Sequence, residues 1–126
     1  MTSFSPRVRA IISDRADRYC ERCGGDIGTQ IHHRRPRGRG GTKRPETNQA
    51  SNGLLLCARC HSKIESHRTE AYEYGWLVRQ HEEPRDIPVL YRGTLVLLDD
   101  LGNVLDVNHQ ADLSGLGALK DWSCQQ

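Results

Sequence analysis

Cysteines and histidines are the residues in this chain whose spacing could do chemistry. Four of the five cysteines form two pairs, Cys20-x-x-Cys23 and Cys57-x-x-Cys60, separated by 33 residues. Two intervening residues let both sulfurs of a pair reach one ion across a tight turn. Two such turns complete a tetrahedron of thiolates, the closed coordination of a structural zinc rather than a catalytic one. Between the pairs runs QIHHRRPRGRGG, residues 30–41, where His32 and His33 lead into Arg34, Arg35, Arg37 and Arg39 without a single acid. Like charges repel, so such a run is costly to fold unless a polyanion answers it. Asn52 precedes the second cysteine pair and His61 follows it, while Cys124 stands apart and is expected to take no part.

These residue types suit hydrolysis of a phosphodiester. The reaction needs an activated water beside the phosphorus, a cation on the developing charge, and help for the departing oxygen. A neutral imidazole meets the first need, because its pKa lies near working pH. Histidines on a strand and a helix can hold a divalent ion for the other two. An asparagine carbonyl can accept an imidazole's second N–H and fix its aim, and arginines can grip backbone phosphates. If both cysteine pairs share one ion, the segments they flank are drawn together, and His32, His33, Asn52 and His61 converge.

The elements that must position these residues are short. At 126 residues the chain suits one domain, and with 36% hydrophobic residues and a mean hydropathy of −0.70 its core must be thin. Small thin-cored domains lean on a metal or disulfide staple. No 18-residue apolar run is present, so no membrane partner is expected. The N-terminus MTSFSPRVRA lacks the apolar stretch of a signal peptide, which predicts a cytoplasmic protein with reduced thiols. The net charge of +2 divides into +6 over residues 1–85 and −4 over residues 86–126, a basic front suited to a polyanion.

Ser5-Pro6 is a helix start, and Val8, Ile11, Ile12, Ala16 and Tyr19 keep helical spacing. That predicts a helix over 6–19 behind a frayed segment 1–5. Residues 29–33 read as a strand, 34–53 as a long loop, and 54–56 as a second strand. A helix is expected from the second cysteine pair to about Tyr74, stopping at Gly75. Short strands are expected at 76–78, 89–91, 94–98 and 104–107, with residues 99–103 turning the last pair and Trp76, Leu77 and Val78 packing in the core. The reading is an α+β fold: an N-terminal helix over 1–17, a core over 18–75, a β extension over 76–107 and a tail over 108–126.

The run His33-x-x-Pro36, Gly40-Gly41, Asn52-x-x-x-x-Cys57-x-x-Cys60-His61 resembles the HNH endonucleases, in their zinc-stapled subgroup, over about residues 18–75. The resemblance implies a small ββα-metal core and a metal-dependent DNA endonuclease. It implies His33 as general base, Asn52 as the residue that orients it, and His32 and His61 as ligands of a catalytic divalent ion (Mg, Mn, Ni or Zn). Cys20, Cys23, Cys57 and Cys60 become the structural zinc site. Some members carry a third ligand one turn along the helix, here Glu65; side chains four apart share a helix face, so Glu65 pairs with His61 better than His67 does. Arg34, Arg35, Arg37, Arg39, Lys43 and Arg44 are expected on DNA phosphates.

The chain departs from the family pattern in its longer loop before Asn52, which offers Asn48 as a second candidate orienter. His32 and His33 are strand neighbours and point to opposite faces, so both approach one ion only if the strand breaks at Arg34-Arg35-Pro36. Stand-alone members of this appearance occur in bacteriophages beside packaging genes, which implies terminase and portal proteins as partners. A zinc-stapled DNA-binding or adaptor module without cleavage is the alternative, and an intact base and orienter speak against it.

Overall fold

Leu54-Leu55-Leu56 is apolar at every position because the strand it forms is buried on both faces. In the computed structural model, which describes residues 4–36 and 48–107, β1 (Gln30–His33) pairs antiparallel with β2 (Gly53–Leu56). Side chains alternate across a strand, so Leu54 and Leu56 enter one apolar cluster and Leu55 enters another. Burying each leucine contributes about 2 kcal/mol, and together they make β2 the spine of the fold.

The smaller cluster lies under α1 (Pro6–Ala16) and joins Phe4, Ile12, Ala16 and Ala50 to Leu55. The Ser5 hydroxyl accepts from Val8 N–H at 3.2 Å and caps the helix as expected, a bond of about 1 kcal/mol. Phe4, expected to fray, is buried. The helix ends at Ala16 rather than at 19, because Asp17 and Arg18 take left-handed backbone angles (φ 53° and 69°). Arg92 secures that end: its guanidinium donates to the carbonyls of Ala16, Tyr19 and Cys20 at 2.6, 2.9 and 3.1 Å. A cation at a helix C-terminus also meets the negative end of the dipole.

The helix expected to run to Tyr74 is two helices, α2 (Ala58–Ser66) and α3 (Arg68–Glu73). His67 breaks them apart at φ −130° and ψ 62°, where the Ser66 hydroxyl bonds back to the Lys63 carbonyl and competes with the helical ladder. Gly75 then stops the chain as expected, at φ 79°. Residues 76–78 are buried but form no strand. Their backbone groups serve unrelated partners instead: Leu77 N–H donates to Ala71 and Val78 N–H to Arg34.

The larger cluster continues into β3 (Val89–Tyr91), β4 (Thr94–Leu98) and β5 (Val104–Asp106), an antiparallel sheet in that order. Helices beside two small antiparallel sheets, with α1 on the Leu55 face of the β1–β2 hairpin and α2 on the Leu54 and Leu56 face, make this an α+β fold. One buried carboxylate ties the layers. Glu21 receives both arms of Arg15 at 2.7 Å, the Leu55 N–H at 2.8 Å and the Tyr91 hydroxyl at 2.7 Å. The expected tail over 108–126 lies outside the described residues.

Candidate metal centres and active-site cleft

Two groups of donor side chains converge, and both use α2. Cys57 and Cys60 stand at its first turn. With Cys20 and Cys23 from the turn after α1, their four sulfurs lie within 4.8 Å of one another. A tetrahedral zinc with bonds of about 2.3 Å needs sulfurs about 3.8 Å apart, so a small inward movement would close the site. The surroundings fit an anionic cluster. Gly25 N–H donates to Cys23 Sγ at 3.4 Å, and the buried Arg22 guanidinium donates to Cys60 Sγ at 3.3 Å while stacking on Trp76. The hydrogen bond from Cys60 pulls the Cys20 thiol down to about 4, and Cys60 rises correspondingly.

The second group comprises His32, His61 and Glu65, each offering one donor atom within 4.8 Å of the others. His32 arrives from β1, buried against Leu54's side of the hairpin. His61 and Glu65 come from successive turns of α2, four residues apart on one face. The structure thus brings together the three residues named from the sequence, with Glu65 rather than His67 beside His61. Two imidazoles and a carboxylate suit a divalent first-row metal or magnesium.

His33 alternates to the other face of β1, where its ring stacks on Phe4 with centroids 4.2 Å apart. The strand ends at His33, so the residue still borders the cleft that His32, His61 and Glu65 line, a space of about 290 Å³ closed by Pro36 and Arg68.

The tautomer that each neutral imidazole adopts follows from its partner, because a carbonyl oxygen can only accept. Trp76 O at 2.8 Å takes the proton of His32 Nε2, leaving Nδ1 with the lone pair. Gln30 Oε1 takes that of His61 Nδ1, leaving Nε2. Asn48 Oδ1 at 3.1 Å takes that of His33 Nε2, leaving Nδ1. Burial, aided by repulsion from His61, His33 and Arg34, pushes His32 down to about 4, so this imidazole stays neutral in ordinary buffers.

Several expected roles fall elsewhere. Arg34 and Arg35 are removed from the DNA-contacting set because both are buried. The Arg34 guanidinium donates to the carbonyls of Gly75, Ser51, Pro84 and Ile87, at 2.8–2.9 Å, and burial pushes it down to about 9. Arg35 donates to Glu82 O at 2.7 Å. These cations bind the end of β1 to the segment 75–87. Arg37, Arg39, Lys43 and Arg44 lie outside the described residues.

Asn52 is buried with its amide spanning the Arg35 backbone, Oδ1 accepting from Arg35 N–H at 2.7 Å and Nδ2 donating to Arg35 O at 3.3 Å. It clamps the turn after β1, and the amide that fixes the His33 tautomer is that of Asn48. Sequence reasoning missed Arg68 at the cleft rim; its signal was a cation three residues after Glu65. It also missed Phe4.

Residues 20–67 match the family model described as HNH endonuclease. The match spans both cysteine pairs, both candidate metal centres and the loop between them. No curated protein and no solved structure was found to match the chain.

Proposed function

Proceeding from residues 20–67 as an HNH endonuclease segment, we propose that the protein is a metal-dependent DNA endonuclease in which His33 activates the attacking water. The observation that carries this reading is the cleft itself: it gathers a histidine hydrogen-bonded to Asn48, a three-donor cluster and an arginine around one space of about 290 Å³, room for a phosphate and its neighbours.

Cys20, Cys23, Cys57 and Cys60 would hold a zinc ion that cross-links the turn after α1 to the start of α2. His32, His61 and Glu65 would hold a divalent ion, whose charge when bound would stabilise the scissile phosphate and the oxygen that departs. His33 Nδ1 takes a proton from water, and the positive charge that develops on the ring is met at Nε2 by the Asn48 carbonyl. Phe4 covers one face of the ring and limits the directions in which it can turn. Release of the 3′ oxygen leaves a 5′ phosphate on the product. Arg37, Arg39, Lys43 and Arg44 contact the DNA backbone in this reading. Genome processing alongside phage terminase and portal proteins is the cellular setting it suggests, and co-purification with those proteins tests that part separately.

The test is cleavage of supercoiled plasmid by purified protein with Mg, Mn or Ni added, or with none, beside His33→Ala. Metal-dependent cutting is expected, with a loss of about 100-fold or more in the variant while its zinc content stays at one per chain. Cutting that survives the substitution undiminished would assign the base elsewhere. DNA binding without cutting by either protein would favour the non-cleaving module.

A further inference from the structure

With Arg34 and Arg35 buried, the described cations that reach the cleft come from an unexpected side. Arg68 lines it beside His33, His61 and Glu65, and its side chain is 45% exposed. Its Nη1 donates to Glu65 Oε1 at 2.8 Å, and its Nη2 donates to the Tyr72 hydroxyl at 3.5 Å. The Arg68 guanidinium carbon lies 5.9 Å from the centre of the Tyr72 ring. Arg79 stacks on that same ring at 4.4 Å, is exposed, and among the described residues has no carboxylate partner. The next residue, Gln80, donates to the carbonyl of Pro36 at 2.6 Å, and Pro36 forms part of the cleft wall. The segment bearing Arg79 is thereby fastened to the mouth of the cleft.

We propose that Arg68 and Arg79, joined through Tyr72, form a phosphate grip that receives the backbone of double-stranded DNA beside the cleaved bond. Two guanidiniums on one aromatic ring hold their planes in place before substrate arrives, and guanidiniums match phosphate oxygens bidentately. The acids of α3 do not oppose this. Glu70 and Glu73 stand two and five positions from Arg68, off the face that Arg68 shares with Tyr72 four residues on. The remaining acid, Glu65, belongs to the three-donor cluster. In the nuclease reading, on which this inference rests, the Glu65 carboxylate serves the divalent ion, and Arg68 is then free to turn to phosphate.

The experiment measures binding of a fluorescent 30-base-pair duplex by anisotropy, with Mg held at one fixed concentration so that Glu65 has its ion, in the full chain carrying His33→Ala, which does not cut. Arg68→Gln, Arg79→Gln and the double variant are compared over a range of salt. Each single change is expected to weaken binding about threefold to tenfold and to reduce the log–log salt slope by about one. Arg79→Lys keeps the charge and should restore the slope. In the cleaving protein the same substitutions should raise KM by a matching factor. An unchanged slope in the double variant overturns the grip, as does an absence of duplex binding by the parent. Failure of the nuclease reading looks different: no metal supports plasmid cutting, while the salt slope still responds to both arginines.

Discussion

The two donor clusters share α2, on which Cys60 and His61 are neighbours, and differ in what surrounds them. Cys20, Cys57 and Cys60 are buried and Cys23 is half-buried, and the four sulfurs lie within 4.8 Å of one another. His32, His61 and Glu65 step outward from buried to half-buried to exposed, and among the described residues three donors converge. A closed four-thiolate site leaves an ion nothing to do but hold the chain, whereas three ligands leave positions for water and phosphate. The sulfur cluster is part of the larger apolar core, while the histidine cluster faces open space of about 290 Å³. In the proposed reading, one short helix thus contributes to a structural anchor and to a reactive edge.

The difference can be broken from the structural side with the largest effect. Cys60→Ser is expected to abolish a cooperative thermal unfolding transition by circular dichroism, because the ion carries much of the folding free energy of so thin a core. Retention of a sharp transition in that variant would mean the core stands without its staple, and the contrast between the clusters would collapse. His61→Ala probes the other side. It should lower plasmid cleavage by about 100-fold or more, from the loss of several kcal/mol of charge stabilisation. One zinc per chain and a melting temperature within a few degrees of the parent should remain. If His61→Ala instead unfolds the protein, the second cluster is also structural.

What the sequence disclosed of these two regions follows the same division. The cysteine spacing was legible because a tetrahedral ion constrains its ligands through geometry that neighbouring residues barely modify. His32, His61 and Glu65 were legible for a related reason, since strand pairing and helical periodicity bring them to one edge. Arg34 and Arg35 were misread because burial of a guanidinium depends on carbonyls contributed from residues 51–87, far along the chain, which no local pattern announces. The break at His67 escaped notice because helical phase continues nearly unaltered across it. Residues 76–78 look like a strand since they are apolar, yet their hydrogen bonds go to three separate partners rather than one ladder. Apolar runs report burial; pairing is a separate matter.

The finest version of the comparison concerns two asparagines in one loop. Asn52 is fully buried and serves the backbone of Arg35, whereas Asn48 is half-buried and bonds Nε2 of His33, the nitrogen opposite the one proposed to react. They should therefore fail in different currencies. Asn52→Ala leaves the Arg35 N–H without its acceptor and should destabilise the fold by about 1–3 kcal/mol, read as a fall in the denaturant midpoint. Asn48→Ala should leave that midpoint nearly unmoved and lower kcat by about tenfold or more. The imidazole proton is then free to sit on either nitrogen, and half of the remaining orientations point the wrong lone pair at water. A merely structural Asn48 would lower the denaturant midpoint and leave kcat of the folded fraction unchanged. A positioning one should lower kcat while leaving KM near the parent's value. DNA affinity measured in the same variant should stay at the parent's value, which separates aim from grip.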